Sequence, residues 1–281
     1  MQIELTNLLS QHMAASRHIT DSLYIASMDH CPSEQIYGDD NLWHTTVIVV
    51  SPGVEHAALA NRIAAVLRPK NPVLMKWVNG TKKYQANFLR TFVESLRQFP
   101  QVYVFAVSAT ESKIIGSADH FVDQLGLSDR YDAIFGSNVS LGPFFRNSSS
   151  KPAYVSLSPK RAVMCMFIMH FVRRMHGAMY EAINFTDQTR PSAVNWNFFH
   201  DKFPGPPDDN MALMFQVLCG VDQSRGRILP GYFAEGGTQE IDNLADNLAG
   251  ALDRGVQASA PLCSNSFPIG QSGFFYWEQW S

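Results

Sequence analysis

Asp242 and Asp246 stand four residues apart within Gln239–Arg254, so in a helix they share one face. Ile241, Leu244, Ala245, Leu248, Ala249 and Leu252 form an apolar stripe at helical spacing, with both carboxylates on its border and Asp253 further along. A carboxylate at the edge of a buried face is held near a sheet yet still reaches solvent or a metal, and it adds little to packing. The same spacing also suits an ordinary solvated helix face. His200-Asp201 ends a run containing Trp196, Phe198 and Phe199 and precedes Pro204-Gly205-Pro206-Pro207. There Asp201 either caps the turn or projects from the rim of a sheet. Lys76, between Met75 and Trp77, either reaches an anion or lies on an exposed strand edge.

Other chemistries lose their usual warrant. The chain has no GxSxG, GxxxxGK[ST], GxGxxG or HExxH motif, which removes the ordinary signatures of serine hydrolases, phosphate-loop and dinucleotide-binding enzymes and zinc proteases. Cys31, Cys165, Cys219 and Cys263 are far apart with no CxxC pair, and read as reduced and structural. The net charge of −3 gives no general basic footprint for nucleic acid, though it leaves room for a local basic groove. A hydrophobic fraction of 46% and a charged fraction of 17% describe a globular chain with a substantial core. The opening residues lack a basic segment followed by a long apolar one. The apolar run 162–172 is too short to span a bilayer and is flanked by Lys160, Arg161, Arg173 and Arg174. A cytoplasmic protein is expected.

The elements that must position these residues alternate between strand and helix. Strands are expected over 21–30, 42–51, 73–78, 101–109, 193–203 and 227–233, from β-branched and aromatic content bounded by Gly and Pro. Helices are expected over 51–67, 82–99, 111–126, 158–182 and 208–219, and from Gln239 to Arg254 with Thr238 as N-cap. The helix from Ser158 is apolar nearly all round at its start and must be deeply buried. Residues 127–153 read as an irregular insertion within one domain. The organisation expected is an N-terminal segment 1–20, a single α/β domain 21–255 and a tail 256–281. That tail ends in Phe274-Phe275-Tyr276-Trp277-Glu278-Gln279-Trp280 and shows no period of its own. So many aromatics must cover the protein's own surface or anchor in a partner, either a second copy or another chain.

Over about residues 20–255, the order of strands, Lys76-Trp77, a strand ending in Asp201 and the helix Leu244-Ala245-Asp246-Asn247-Leu248-Ala249-Gly250-Ala251 resembles a bacterial family of unknown function with an RNase H-like core. In that family a strand reading Asp-Glu-Ser opens the domain and a helix reading L-A-D-L-L-A-G-A closes it. The resemblance implies a mixed sheet flanked by helices and a metal-dependent nuclease using Mg²⁺ or Mn²⁺. It implies metal ligands at Asp29, Asp201 and Asp246, with Lys76 stabilising phosphoryl charge beside Asp201 and Asp246. This chain departs from the pattern at the first acidic position, where Ala26 follows Leu23-Tyr24-Ile25. The centre is then incomplete at position 26, whether natively or through an Asp→Ala change, or rebuilt with Asp29, which odd spacing sets on the opposite face of the strand unless a bulge intervenes. The alternative is an inactive interaction subunit of a nucleic-acid-processing or defence complex, docked through Phe274–Trp280.

Overall fold

The computed structural model describes residues 2–16, 23–32, 37–125, 159–186, 193–200, 226, 228–230, 240–257 and 268–281. These form strands β1 (Leu23–Cys31), β2 (Trp43–Pro52), β3 (Tyr103–Thr110), β4 (Asn195–His200), β5 (Ile228–Pro230) and β6 (Phe274–Trp280). The helices are α1 (Gln2–Ser16), α2 (Gly53–Leu67), α3 (Lys82–Leu96), α4 (Glu111–Gly116), α5 (Ala118–Leu125), α6 (Pro159–Thr186) and α7 (Glu240–Gln257).

All six strands join one sheet in the order β5-β4-β1-β2-β3-β6. β1, β2 and β3 are antiparallel neighbours, whereas β4 runs parallel to β1, β5 parallel to β4 and β6 parallel to β3. The chain is thus α/β with a mixed sheet flanked by helices, as its sequence leads one to expect. Helices α1, α5 and α6 cover one face, over Tyr24, Ala26, Met28, Ile48, Val50, Phe105 and Phe198. Helices α2, α3 and α7 cover the other, over Val47, Val49, Val104 and Ala106. Covering both faces explains why β2 and β3 read as continuous apolar runs rather than alternating ones. Helix α6, apolar on all sides over its first turns, is fully buried at Met164, Cys165, Phe167, Ile168, Met169 and Phe171. α3 begins at Thr81, whose hydroxyl accepts the Tyr84 N–H at 3.2 Å.

Three expectations are corrected. Residues 73–78 do not form a strand: an irregular stretch leads into a single 3-10 turn over Trp77–Asn79. Their backbone groups bond to side chains of α7 instead of to a neighbouring strand. The helix expected over 111–126 is broken at Ser117, whose N–H returns to the Lys113 and Ile114 carbonyls. The aromatic segment 274–280 has an element of its own, the sheet-edge strand β6, with Phe274 and Phe275 buried. It belongs to the same body as the rest of the sheet, as does α1, which packs on α6. The expected irregular insertion 127–153, the helix 208–219, the Pro-rich turn 204–207 and the caps Ser158 and Thr238 lie outside the described residues. No helix among the described residues is long and apolar enough to cross a membrane.

Candidate functional site

The register of β1 decides which carboxylate can take part in a centre. From Tyr24 to Cys31 the strand pairs residue by residue with β2, Ala26 opposite Val50 and Asp29 opposite Val47, with no bulge. Side chains therefore alternate strictly. Tyr24, Ala26 and Met28 point into the α6 core, where Ala26 is fully buried. Ile25, Ser27, Asp29 and Cys31 take the face covered by α7. Position 26 is thus not where a carboxylate meeting Asp246 would sit. Asp29, half-buried near the C-terminal end of β1, is on the right face. Asp29 and position 26 stand on opposite faces, as their odd spacing requires in a strand without a bulge.

Helix α7 holds the 74–77 segment through a row of polar side chains one and two turns apart. Asn243 Nδ2 donates to the Leu74 carbonyl at 2.9 Å and Asn247 Nδ2 to the Met75 carbonyl at 2.7 Å. The Trp77 N–H donates to Asp246 Oδ2 at 2.5 Å. A Cβ on Gly250 would come 2.2 Å from Trp77 Cδ1, so only glycine lets the indole lie against the helix. The Arg254 guanidinium covers the same ring, 5.8 Å from its centroid. The motif L-A-D-N-L-A-G-A is in this respect a clamp on Lys76-Trp77. The bond from the Trp77 N–H to Asp246 is charge-assisted, of a kind worth about 1.5–3 kcal/mol. Lys76 caps the 3-10 turn, half-buried, rather than standing in a strand.

Near the end of β1, the Cys31 thiol is hydrogen-bonded to Asp253 and feels the charges of Asp29 and Asp246. Burial pushes its pKa up first, followed by the negative charges of Asp253, Asp29 and Asp246. Cys31 is free and half-buried. Asp253, two turns along α7 from Asp246, is hydrogen-bonded to Cys31 and Thr45, and burial raises its pKa from 3.8 to about 6. A raised carboxylate pKa means that the native state binds its proton more tightly than the unfolded chain does. Its stabilising share is therefore present below about pH 4 and lost as the pH rises to about 6. Two pKa units correspond to at most about 3 kcal/mol. Asp253→Asn is expected to flatten that part of the pH–stability curve and to stabilise the protein by about 1–3 kcal/mol at pH 7. Denaturant unfolding of both proteins at pH 4, 5, 6 and 7 checks this, and parallel curves would refute it.

Of the residues expected to form a centre, Asp29 and Asp246 lie on one face and act on one thiol, and Lys76 adjoins Asp246 through Trp77. Asp201 lies outside the described residues, as does the side chain of Asp242; β4 ends at His200, which pairs with Met28 of β1. Among the described residues no group of three or more His, Cys, Asp or Glu is close enough to hold a metal ion.

A second polar network escaped the sequence reading. His44 Nε2 meets Glu111 Oε1 at 2.9 Å, His30 Nε2 meets His44 Nδ1 at 3.2 Å, and His30 Nδ1 meets Thr46 Oγ1 at 2.7 Å. The Glu111 carboxylate also accepts the N–H groups of Tyr37, Gly38 and Asp39 at 2.7, 2.8 and 3.1 Å. Burial raises its pKa, but these bonds outweigh burial and hold it below the usual carboxylate range. An ionised Glu111 only accepts, so His44 donates to it from Nε2, accepts from His30, and His30 accepts from the Thr46 hydroxyl. The chain fastens the 37–39 loop to α4 on the sheet face opposite Asp29. Its signal in the sequence is parity: His30, His44 and Thr46 share a face with Met28 and Ile48.

Comparison with protein-family models, with curated proteins and with solved structures finds no match. The arrangement is read from its own chemistry.

Proposed function

We propose that the protein is a metal-dependent nuclease of RNase H-like fold, hydrolysing phosphodiester bonds at the C-terminal end of β1. One observation supports this reading: Asp29 of β1 lies on the face of the sheet covered by α7, and its charge and that of Asp246 both act on the Cys31 thiol. The mixed sheet, with three antiparallel strands followed outward from β1 by two parallel ones, is compatible with that fold.

Asp29, Asp246 and Asp201 would hold Mg²⁺ or Mn²⁺, since hard divalent cations take oxygen ligands and this donor set is made of carboxylates. When bound, such ions supply an activated water and Lewis-acid stabilisation of the leaving oxygen. The chain's own residues do the positioning. One oxygen of Asp246 accepts the Trp77 N–H, which holds the carboxylate beside the 74–77 segment. The same bond sets the 3-10 turn that begins at Lys76, whose ammonium stabilises the charge on the phosphoryl group.

The test is Mn²⁺-dependent cleavage of single- and double-stranded DNA and RNA, with Asp246→Asn alongside. Asparagine keeps an acceptor for the Trp77 N–H, so the variant is expected to lose cleavage while losing only about 1 kcal/mol of stability. Cleavage retained by the variant, or absent from the unaltered protein on every substrate, refutes the reading. In the alternative reading, an inactive interaction subunit, the aromatic segment taken as the docking element forms the edge strand β6, with Phe274 and Phe275 buried.

A further inference from the structure

On the far side of the 74–77 segment from α7 lies a cavity of about 570 Å³ between the end of α2 and the first turns of α3. Arg68, Lys83 and Arg90 line it together with Asn87, Met75 and Tyr84, and no acidic side chain does. In a chain of net charge −3, three cations around one concavity without a carboxylate is a local reversal of sign. Arg68 gives Nη1 to the Val73 carbonyl at 2.7 Å, and Arg90 gives Nη2 to Asn87 Oδ1 at 2.9 Å. Each guanidinium keeps further N–H donors for an anion.

A second observation points to a ligand. Tyr84 is 5% exposed and its hydroxyl is buried, with the Met75 backbone N–H beside it as a donor and nothing among the described residues to take the hydroxyl's own proton. A buried hydroxyl left unsatisfied costs about 1–3 kcal/mol, so it is seldom found where nothing ever meets it. Burial and then the Asp246 carboxylate push its pKa up, while Arg68 and the Met75 amide pull it down. The phenol lines the basic cavity and also feels the Asp246 carboxylate.

We propose that this cavity is a backbone-phosphate subsite, in which Arg68, Lys83 and Arg90 seat a phosphodiester of a bound nucleic acid strand. The inference rests on the nuclease reading and gives its substrate a contact away from the reacting linkage. Charge pairing to the backbone is independent of sequence, so the subsite positions the strand without selecting bases.

The experiment is fluorescence anisotropy of fluorescein-labelled single-stranded DNA and RNA oligonucleotides with the full chain in EDTA, so that binding is read without cleavage. Lys83→Ala/Arg90→Ala removes two cations from solvent-facing positions of α3. Arg68→Ala removes the third, and Lys113→Ala on α4 is the control for diffuse charge. The double variant is expected to bind about tenfold more weakly, and the slope of log K against log salt to become shallower by about 1.4, from two charges at ~0.7 each on a single strand. Inorganic phosphate is expected to compete with the oligonucleotide on the unaltered protein and far less on the double variant. Unchanged binding in the double variant, or an equal loss in Lys113→Ala, overturns the subsite. Weakened binding together with no Mn²⁺-dependent cleavage by the unaltered protein refutes the nuclease and leaves the subsite standing. Cleavage with unchanged binding does the opposite.

Discussion

Asp29→Asn is expected to reduce Mn²⁺-dependent cleavage at least about 10²-fold with little change in melting temperature, and Ala26→Asp to prevent folding without restoring any activity. The two substitutions are three residues apart and differ only in the face they address. Asp29 is half-buried on the α7 side, and a carboxamide of the same shape keeps its packing while withdrawing the charge that a divalent cation needs. Ala26 is fully buried, opposite Val50 in β2 and Phe198 in β4, under the Met- and Phe-rich wall of α6. An aspartate there would be an unpaired charge in a dry core, costing more than about 4–5 kcal/mol. Soluble yield, circular dichroism and the cleavage assay separate the outcomes. An Ala26→Asp protein that folds and cleaves faster would mean that the strand's register differs from the one described and that position 26 is the vacant ligand. An Asp29→Asn protein of full activity would remove β1 from the centre altogether.

The face of β1 was legible in principle. Strict alternation is a property of any unbulged strand, and Tyr24, Ala26 and Met28 already mark one side. What the sequence left open was the absence of a bulge, which depends on the match of β1 to β2. α7 was legible because its apolar stripe has helical period and its polar border is regular. The job of that border was not, because Asn243, Asp246 and Asn247 bond to carbonyls and an N–H more than 160 positions away. For the same reason Met75-Lys76-Trp77 looked like a strand: β-prone residues say nothing about whether the backbone's partners are another strand or the side chains of a helix. β6 was hidden by its own composition. Aromatics at consecutive positions carry no period of two, and both Phe274 and Phe275 are buried because each covers a different face of the sheet. The basic cavity could not be seen at all, since Arg68 comes from the end of one helix and Lys83 and Arg90 from another.

Strand β6 supplies another large expected effect on stability. Glu278 of β6 is 5% exposed and receives both guanidinium nitrogens of Arg174 from α6, one of them at 2.8 Å. The Tyr276 hydroxyl donates to the same carboxylate at 2.5 Å and the Trp280 indole at 3.1 Å. Burial alone would raise the pKa of Glu278, but these four donors outweigh it and hold it below the usual carboxylate range. Nearby His170 is kept neutral down to about pH 4, by burial first and then by Arg174, so above that pH it adds no second cation to the cluster. Arg174→Met therefore leaves a buried carboxylate facing two neutral donors. The expected cost is about 3–5 kcal/mol, a fall in melting temperature of roughly 6–20 °C for a chain of this size. Glu278→Gln in the Arg174→Met background removes the orphaned charge while keeping an acceptor for Tyr276 and Trp280, and is expected to recover more than half of that loss. The linkage has a definite sign: a depressed carboxylate pKa contributes stability above the unfolded value of about 4.5, lost as the pH falls through the folded one. The Arg174→Met deficit should accordingly shrink in acid. Recovery by the double variant separates charge burial from lost packing, because the arginine's methylene stem is replaced in both variants. If the double variant is no more stable than Arg174→Met, β6 is held by its aromatic side chains alone and the ion pair serves only to orient Glu278.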